Sequence, residues 1–123
     1  MALIDIIVIE PNGMTTEMKI EPTLEALQAV QGGDIESLRF IPGVTIFVDE
    51  EGKRKGLAPN RFATEICRHY EIGLRPDDFI CGRMLLVGLN RNGDSVSVPK
   101  SLIAEIRDLD EQLVHLRIKK SGG

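Results

Sequence analysis

Met84-Leu85-Leu86-Val87 is an unbroken apolar run inside a longer apolar stretch from Phe79 to Leu89. Successive side chains of a strand point to opposite faces of a sheet, so a run without a polar member needs cover on both faces. This strand therefore belongs in the middle of its sheet, with Gly82 and Gly88 as bulge or close-packing points. At 123 residues the chain fits one domain around one core. With aromatic residues at 4% and no Trp, that core must be built mainly from Ile, Leu and Val.

The rest of the chain supplies neighbours for that strand. Ala2 to Ile9 is rich in β-branched residues and interrupted only by Asp5, which predicts a mostly buried strand. Pro11-Asn12-Gly13 turns it, and Thr15 to Ile20 is expected to return antiparallel. Thr23 is the expected N-cap of a short helix that presents Leu24, Leu27 and Val30 and stops at Gly32-Gly33. Ile35 to Ile41 and Val44 to Val48 are the next strands, joined through a type II turn at Pro42-Gly43 that is too splayed for a tight hairpin.

A second helix is expected after Pro59, capped by Asn60, with Phe62, Ala63, Ile66, Cys67 and Tyr70 on its apolar face and Gly73 as its C-cap. Arg61 and Glu65 are spaced to pair on its other face. Ser95 to Val98 is a short returning strand, and a last helix starts near Pro99 and carries Leu102, Ile103, Ile106 and Leu109. Leu113 to Ile118 alternates as an edge strand does. The expected fold class is α+β: a mainly antiparallel sheet of about six strands with two or three packed helices. Residues 1–112 are expected to form the single globular domain, and 113–123 an edge strand and flexible C-terminal tail.

Val48 to Arg61 carries more chemistry than its surroundings. Asp49-Glu50-Glu51-Gly52 fits a type I turn with Gly52 left-handed, after which the chain comes back through Lys53 to Leu57. Asn60 and Arg61 at a helix N-terminus, with Lys53, Arg54 and Lys55 nearby, are the candidate ligand- or partner-binding residues, because a helix dipole and free N–H groups favour an anion. Capping by Asn60 and pairing of Arg61 with the acidic turn explain the same residues without a ligand.

Other chemistries find little support. No phosphate-loop or dinucleotide motif is present, and no G-x-S-x-G elbow supplies a nucleophile, so no catalytic residue and no cofactor is expected. Asp49-Glu50-Glu51 and Asp77-Asp78 lack the spacing of a calcium loop; Cys67, His69, Cys81 and His115 match no zinc spacing, so no metal is expected. Residues 1–61 hold ten acids against six bases and residues 62–123 nine of each, which accounts for the net charge of −4 and disfavours nucleic acid as a partner. Two cysteines in apolar contexts suggest a reducing cytoplasm, and neither a signal peptide nor a membrane-spanning run is expected.

Several of these segments together resemble the family known as domain of unknown function 3846: Leu24 to Gln28, Gly32 to Glu36, Val48 to Gly52, Gly56 to Arg61 and Leu85 to Gly88. The resemblance covers most of residues 4 to 110, and its most specific part is the Glu-Gly turn followed by Pro-Asn-Arg. Ala58 stands where the family pattern leads one to expect a second proline. The family has no assigned activity, and its members are small proteins of phages, plasmids and their bacterial hosts. The resemblance thus implies a phage or mobile-element accessory protein. A non-enzymatic role in binding a host protein is the leading expectation, with a binder, or sponge, of a small anionic ligand or nucleotide as the alternative. The terminal Gly122-Gly123 also resembles the diglycine tail of ubiquitin-like modifiers, but an ordinary frayed terminus of small residues is the expected explanation.

Overall fold

In the computed structural model, backbone is described for residues 2–72 and 74–122 and side chains up to residue 112. In chain order the elements are β1 (Ile4–Ile9), β2 (Thr15–Ile20), α1 (Leu24–Gln31), β3 (Ile35–Arg39), β4 (Val44–Asp49), α2 (Arg61–His69), β5 (Met84–Leu89), β6 (Ser95–Val96) and α3 (Lys100–Gly122). The strands form one antiparallel sheet in the order β2-β1-β5-β4-β3, with β6 paired to β5. The fold is α+β.

β5 is the central strand, as its apolar run requires. Its first half pairs with β1 through Ile7↔Leu86 and Ile9↔Met84, and all of it but Leu89 pairs with β4, from Val44↔Gly88 to Val48↔Met84. Its two faces feed two separate cores. Met84 and Leu86 pack with α2 and α3 through Phe62, Ile66, Leu102 and Ile106, whereas Leu85 and Val87 pack under α1 with Ile6, Val8 and Leu27. Gly88 is required by the crossing of β6, since a Cβ there would lie 2.3 Å from the Ser97 carbonyl oxygen.

The local signals that start and stop elements operate as expected at several points. Thr23 Oγ1 accepts the Ala26 N–H at 3.2 Å, and Gly32 ends α1 with φ +88. Between β3 and β4 the Val44 N–H reaches the Ile41 carbonyl at 3.0 Å with Gly43 at φ +81, the type II geometry of Pro42-Gly43.

Other expectations are corrected. The apolar stretch from Phe79 becomes strand only at Met84; before it there is a single bridge, Pro59↔Cys81, and Gly82 at φ +80 bends the chain. The edge strand expected at Leu113 to Ile118 is helix instead, because α3 runs on to Gly122. No glycine or proline interrupts the chain from Lys100 to Ser121, and Leu109, Leu113 and Leu116 continue the four-and-three spacing of Leu102, Ile106 and Leu109. A strand's alternation and a helix's stripe overlap over six residues, and the helix already under way decides between them. Glu65 pairs with Arg68 at 3.7 Å rather than with Arg61. The C-cap of α2 is Tyr70, followed by Glu71 at φ +56; Gly73, expected in that role, lies outside the described residues, as does Gly123.

Candidate functional site

The stretch from Asp49 to Arg61 divides into a capped turn and a buried node. β4 ends at Asp49, whose carboxylate is buried, and Asp49 Oδ1 accepts the Glu51 N–H at 2.8 Å. The Lys55 N–H then donates to the Glu51 carbonyl at 2.8 Å, the Leu57 N–H to that of Gly52 at 3.0 Å and the Gly56 N–H to that of Lys53 at 3.1 Å. This is one helical turn closed by a Schellman cap, with Gly56 at φ +71 as its left-handed residue. The left-handed glycine is thus Gly56 and not Gly52, and Lys53 to Leu57 is a turn rather than a returning strand. Gly52 serves a close approach: a Cβ there would sit 2.9 Å from the Cys81 carbonyl oxygen.

Asn60 is the node. It is fully buried, and its Nδ2 donates to the carbonyls of Ile9 and Gly82, both at 2.8 Å, while Oδ1 accepts the Ala63 N–H at 3.0 Å. Its own N–H donates to the Ile80 carbonyl at 2.7 Å. Thr64 extends the network by donating from Oγ1 to the Asn60 carbonyl at 2.8 Å and accepting the Ile80 N–H at 2.9 Å. Asn60 therefore holds the end of β1, the segment before β5 and the start of α2 together; both its amide donors are used, and burial keeps the side chain from a ligand in solvent.

The cations go to different partners. Lys53 Nζ donates to Asp78 and lies 4.9 Å from the centre of the Phe79 ring. That hydrogen bond raises the Lys53 ammonium above its ordinary value and lowers the Asp78 carboxyl below its own. Arg54 pairs with Glu51 at 3.1 Å across one turn, and Lys55 with Asp49 at 3.0 Å. Lys55 passes directly over Gly33, where a Cβ would come within 2.7 Å of Nζ. Arg61 is exposed at the start of α2 and makes no ion pair among the described residues. The five residues do not converge on one point.

What does form beside the turn is an open groove of about 490 Å³. Leu38, Val48, Leu74, Phe79 and Ile80 supply its apolar surface. Glu36, Glu50, Glu51 and Asp78 stand at its rim with Lys53 and Arg54. Because Lys53 and Arg54 are already paired with Asp78 and Glu51, and the lining Asp49 with Lys55, the charge left over is that of Glu36 and Glu50. Phe79 is 42% exposed there. Sequence reasoning reached the two cations of this groove but not Glu36, Leu38 or Phe79, which lie far away in the chain; an aromatic residue placed after Asp77-Asp78 was the one local hint.

Neither cysteine is set up for reaction. Burial pushes the Cys67 thiol up to about 11 and raises that of Cys81 as well. Among the described residues no three His, Cys, Asp or Glu side chains gather closely enough to hold a metal ion. No helix among them is long and apolar enough to cross a membrane.

A sheet with helices on both faces and a turn-built groove at one corner defines a small α+β domain, and comparison with known families places it further. The chain belongs to the family described as a domain of unknown function, DUF3846, whose profile matches residues 4–111. No match was found among curated proteins or among solved structures.

Proposed function

We propose that this chain is a non-enzymatic accessory protein of a phage or other mobile element that works by binding a protein of its bacterial host, and that the partner docks in the groove beside the Asp49–Gly56 turn. The observation that carries this reading is the groove itself: an apolar surface with an exposed Phe79, rimmed by a surplus of acid. Such a site suits a segment that offers an apolar side chain flanked by Lys or Arg, since an anchor in a pocket gives affinity and complementary charge gives orientation. The cytoplasm is the compartment proposed, in keeping with two free cysteines.

The same geometry speaks against a sponge for small anions. Lys53, Arg54 and Lys55 are each paired with a carboxylate, and Asn60 is buried with both amide donors committed to backbone carbonyls. An anion would have to displace those acids first. The experiment is capture from host lysate by the wild-type chain and by the double variant Glu36→Lys, Glu50→Lys, run beside a thermal-shift panel of nucleotides. A partner held by the wild type and lost by the variant is the expected result. Stabilisation by a nucleotide, or a partner indifferent to the variant, overturns the proposal.

A further inference from the structure

β2 is one of the two edges of the sheet, and Glu17, Met18 and Lys19 along it are exposed. The Glu10 N–H donates to the Met14 carbonyl at 2.8 Å, which sets the phase of the β1–β2 ladder. Hydrogen-bonded and non-bonded pairs alternate in an antiparallel ladder. From the register Ile9↔Thr15 to Ile4↔Ile20, Thr16, Met18 and Ile20 therefore turn their backbone groups toward β1, and Thr15, Glu17 and Lys19 turn theirs outward. The register runs without a bulge and the strand contains no proline, so two of the devices that block an edge are missing from it; the charges of Glu17 and Lys19 remain, and an opposite charge across an interface would satisfy them.

We propose that a second copy of this chain pairs with this edge, β2 against antiparallel β2, on a two-fold axis through Met18. Among the registers centred on the exposed residues Glu17, Met18 and Lys19, backbone and charge together select that one. Outward groups belong to odd-numbered residues, so hydrogen-bonded pairs across the interface join odd positions to odd positions. An axis through Glu17 would set it against the second copy's Glu17, and an axis through Lys19 would oppose two ammonium groups. Like charges directly opposite are destabilising. The axis through Met18 instead places Glu17 opposite Lys19 twice, each pair exchanging backbone hydrogen bonds, with the two Met18 side chains meeting on the other face. Met18 is 36% exposed in the single chain, and this contact covers it.

Within one chain, Lys19 pairs with Asp5 at 2.6 Å and Glu17 pairs with Arg107. Both pairs are solvent-exposed and leave the edge open; an ammonium has three donors and accommodates a second carboxylate. The opposite edge, β3, offers no equivalent. The Glu50 N–H donates to the Asp34 carbonyl at 3.1 Å, which turns the backbone of Ile35, Ser37 and Arg39 outward, and none of these is an acid. The contact is isologous, so it closes at two copies and joins their sheets into one.

Sedimentation of the full chain over a concentration series tests this. The wild type is expected to double its mass reversibly, and Glu17→Lys and Lys19→Glu each to stay monomeric at concentrations where the wild type is dimeric. An equimolar mixture of the two variants is expected to dimerise, because only the mixed pair sets opposite charges against each other. In the wild type, exchange of the Glu17 and Lys19 amides is expected to slow as concentration rises, a readout that does not depend on either variant folding. A wild type that is monomeric at millimolar concentration, or single variants that dimerise as it does, overturns the proposal.

Discussion

Asn60 and the run Lys53 to Lys55 lie a few residues apart in the chain and are held in opposite ways. Asn60 is fully buried and its side chain makes three hydrogen bonds to three different parts of the molecule. Lys53 and Arg54 stand at the surface, each with a partly exposed acid, whereas Lys55 reaches inward to the buried Asp49. A buried polar group whose partner is removed forfeits its full desolvation cost, whereas an exposed ion pair contributes little. The difference teaches that polarity along this stretch has two meanings, integrity of the fold at Asn60 and character of the surface at Lys53 and Arg54.

The strongest way to break that contrast is Asn60→Ala. It strands the carbonyls of Ile9 and Gly82 and removes the α2 cap, and it is expected to lower stability by about 3–4 kcal/mol, read as a fall in the urea midpoint at unchanged slope. A loss below about 1 kcal/mol would erase the distinction. Thr64→Val comes next, because the buried Ile80 N–H loses its acceptor; a loss of about 1–2 kcal/mol is expected by the same measurement.

Lys53→Met acts on titration. Asp78 has its pKa lowered by the Lys53 hydrogen bond, so its contribution is present above the ordinary carboxylate range and is lost as pH falls through the lowered value. Lys53, raised, contributes below the ordinary lysine range and loses that contribution as pH rises through its own raised value. In the variant the Asp78 carboxyl resonance is expected to titrate closer to the ordinary value, and an unchanged titration would count against the pair. Arg54→Ala should do least: its partner Glu51 is half exposed, and denaturant curves of variant and wild type are expected to superimpose.

Much of the scaffold was readable without coordinates. The Asn12-Gly13 hairpin, the Thr23 and Asn60 caps, Gly32 as a stop and the central position of Met84 to Leu89 all follow from signals a few residues long. Where two local signals overlapped, one was misread: Leu113 to Ile118 satisfies both periods and continues α3. Gly56, not Gly52, took the left-handed position, and the close approach of Gly52 to Cys81 depends on a segment far along the chain. The candidate site was legible as residue types and not as a place. Lys53 and Arg54 line the groove, but its other walls come from β3 and from Leu74 to Cys81.

Turns, caps and hydrophobic period are properties of neighbouring residues, and the amino-acid order alone settles them because sterics and local hydrogen bonding act over one or two turns of chain. Which carbonyls receive the Asn60 amide, 51 and 22 residues away, is a matter of which strands lie side by side. So is the choice of Asp78, 25 residues on, as the partner of Lys53. Burial of the two apolar faces of β5 draws those segments together, and only then does a polar side chain become a structural node, a paired surface charge or the rim of a groove.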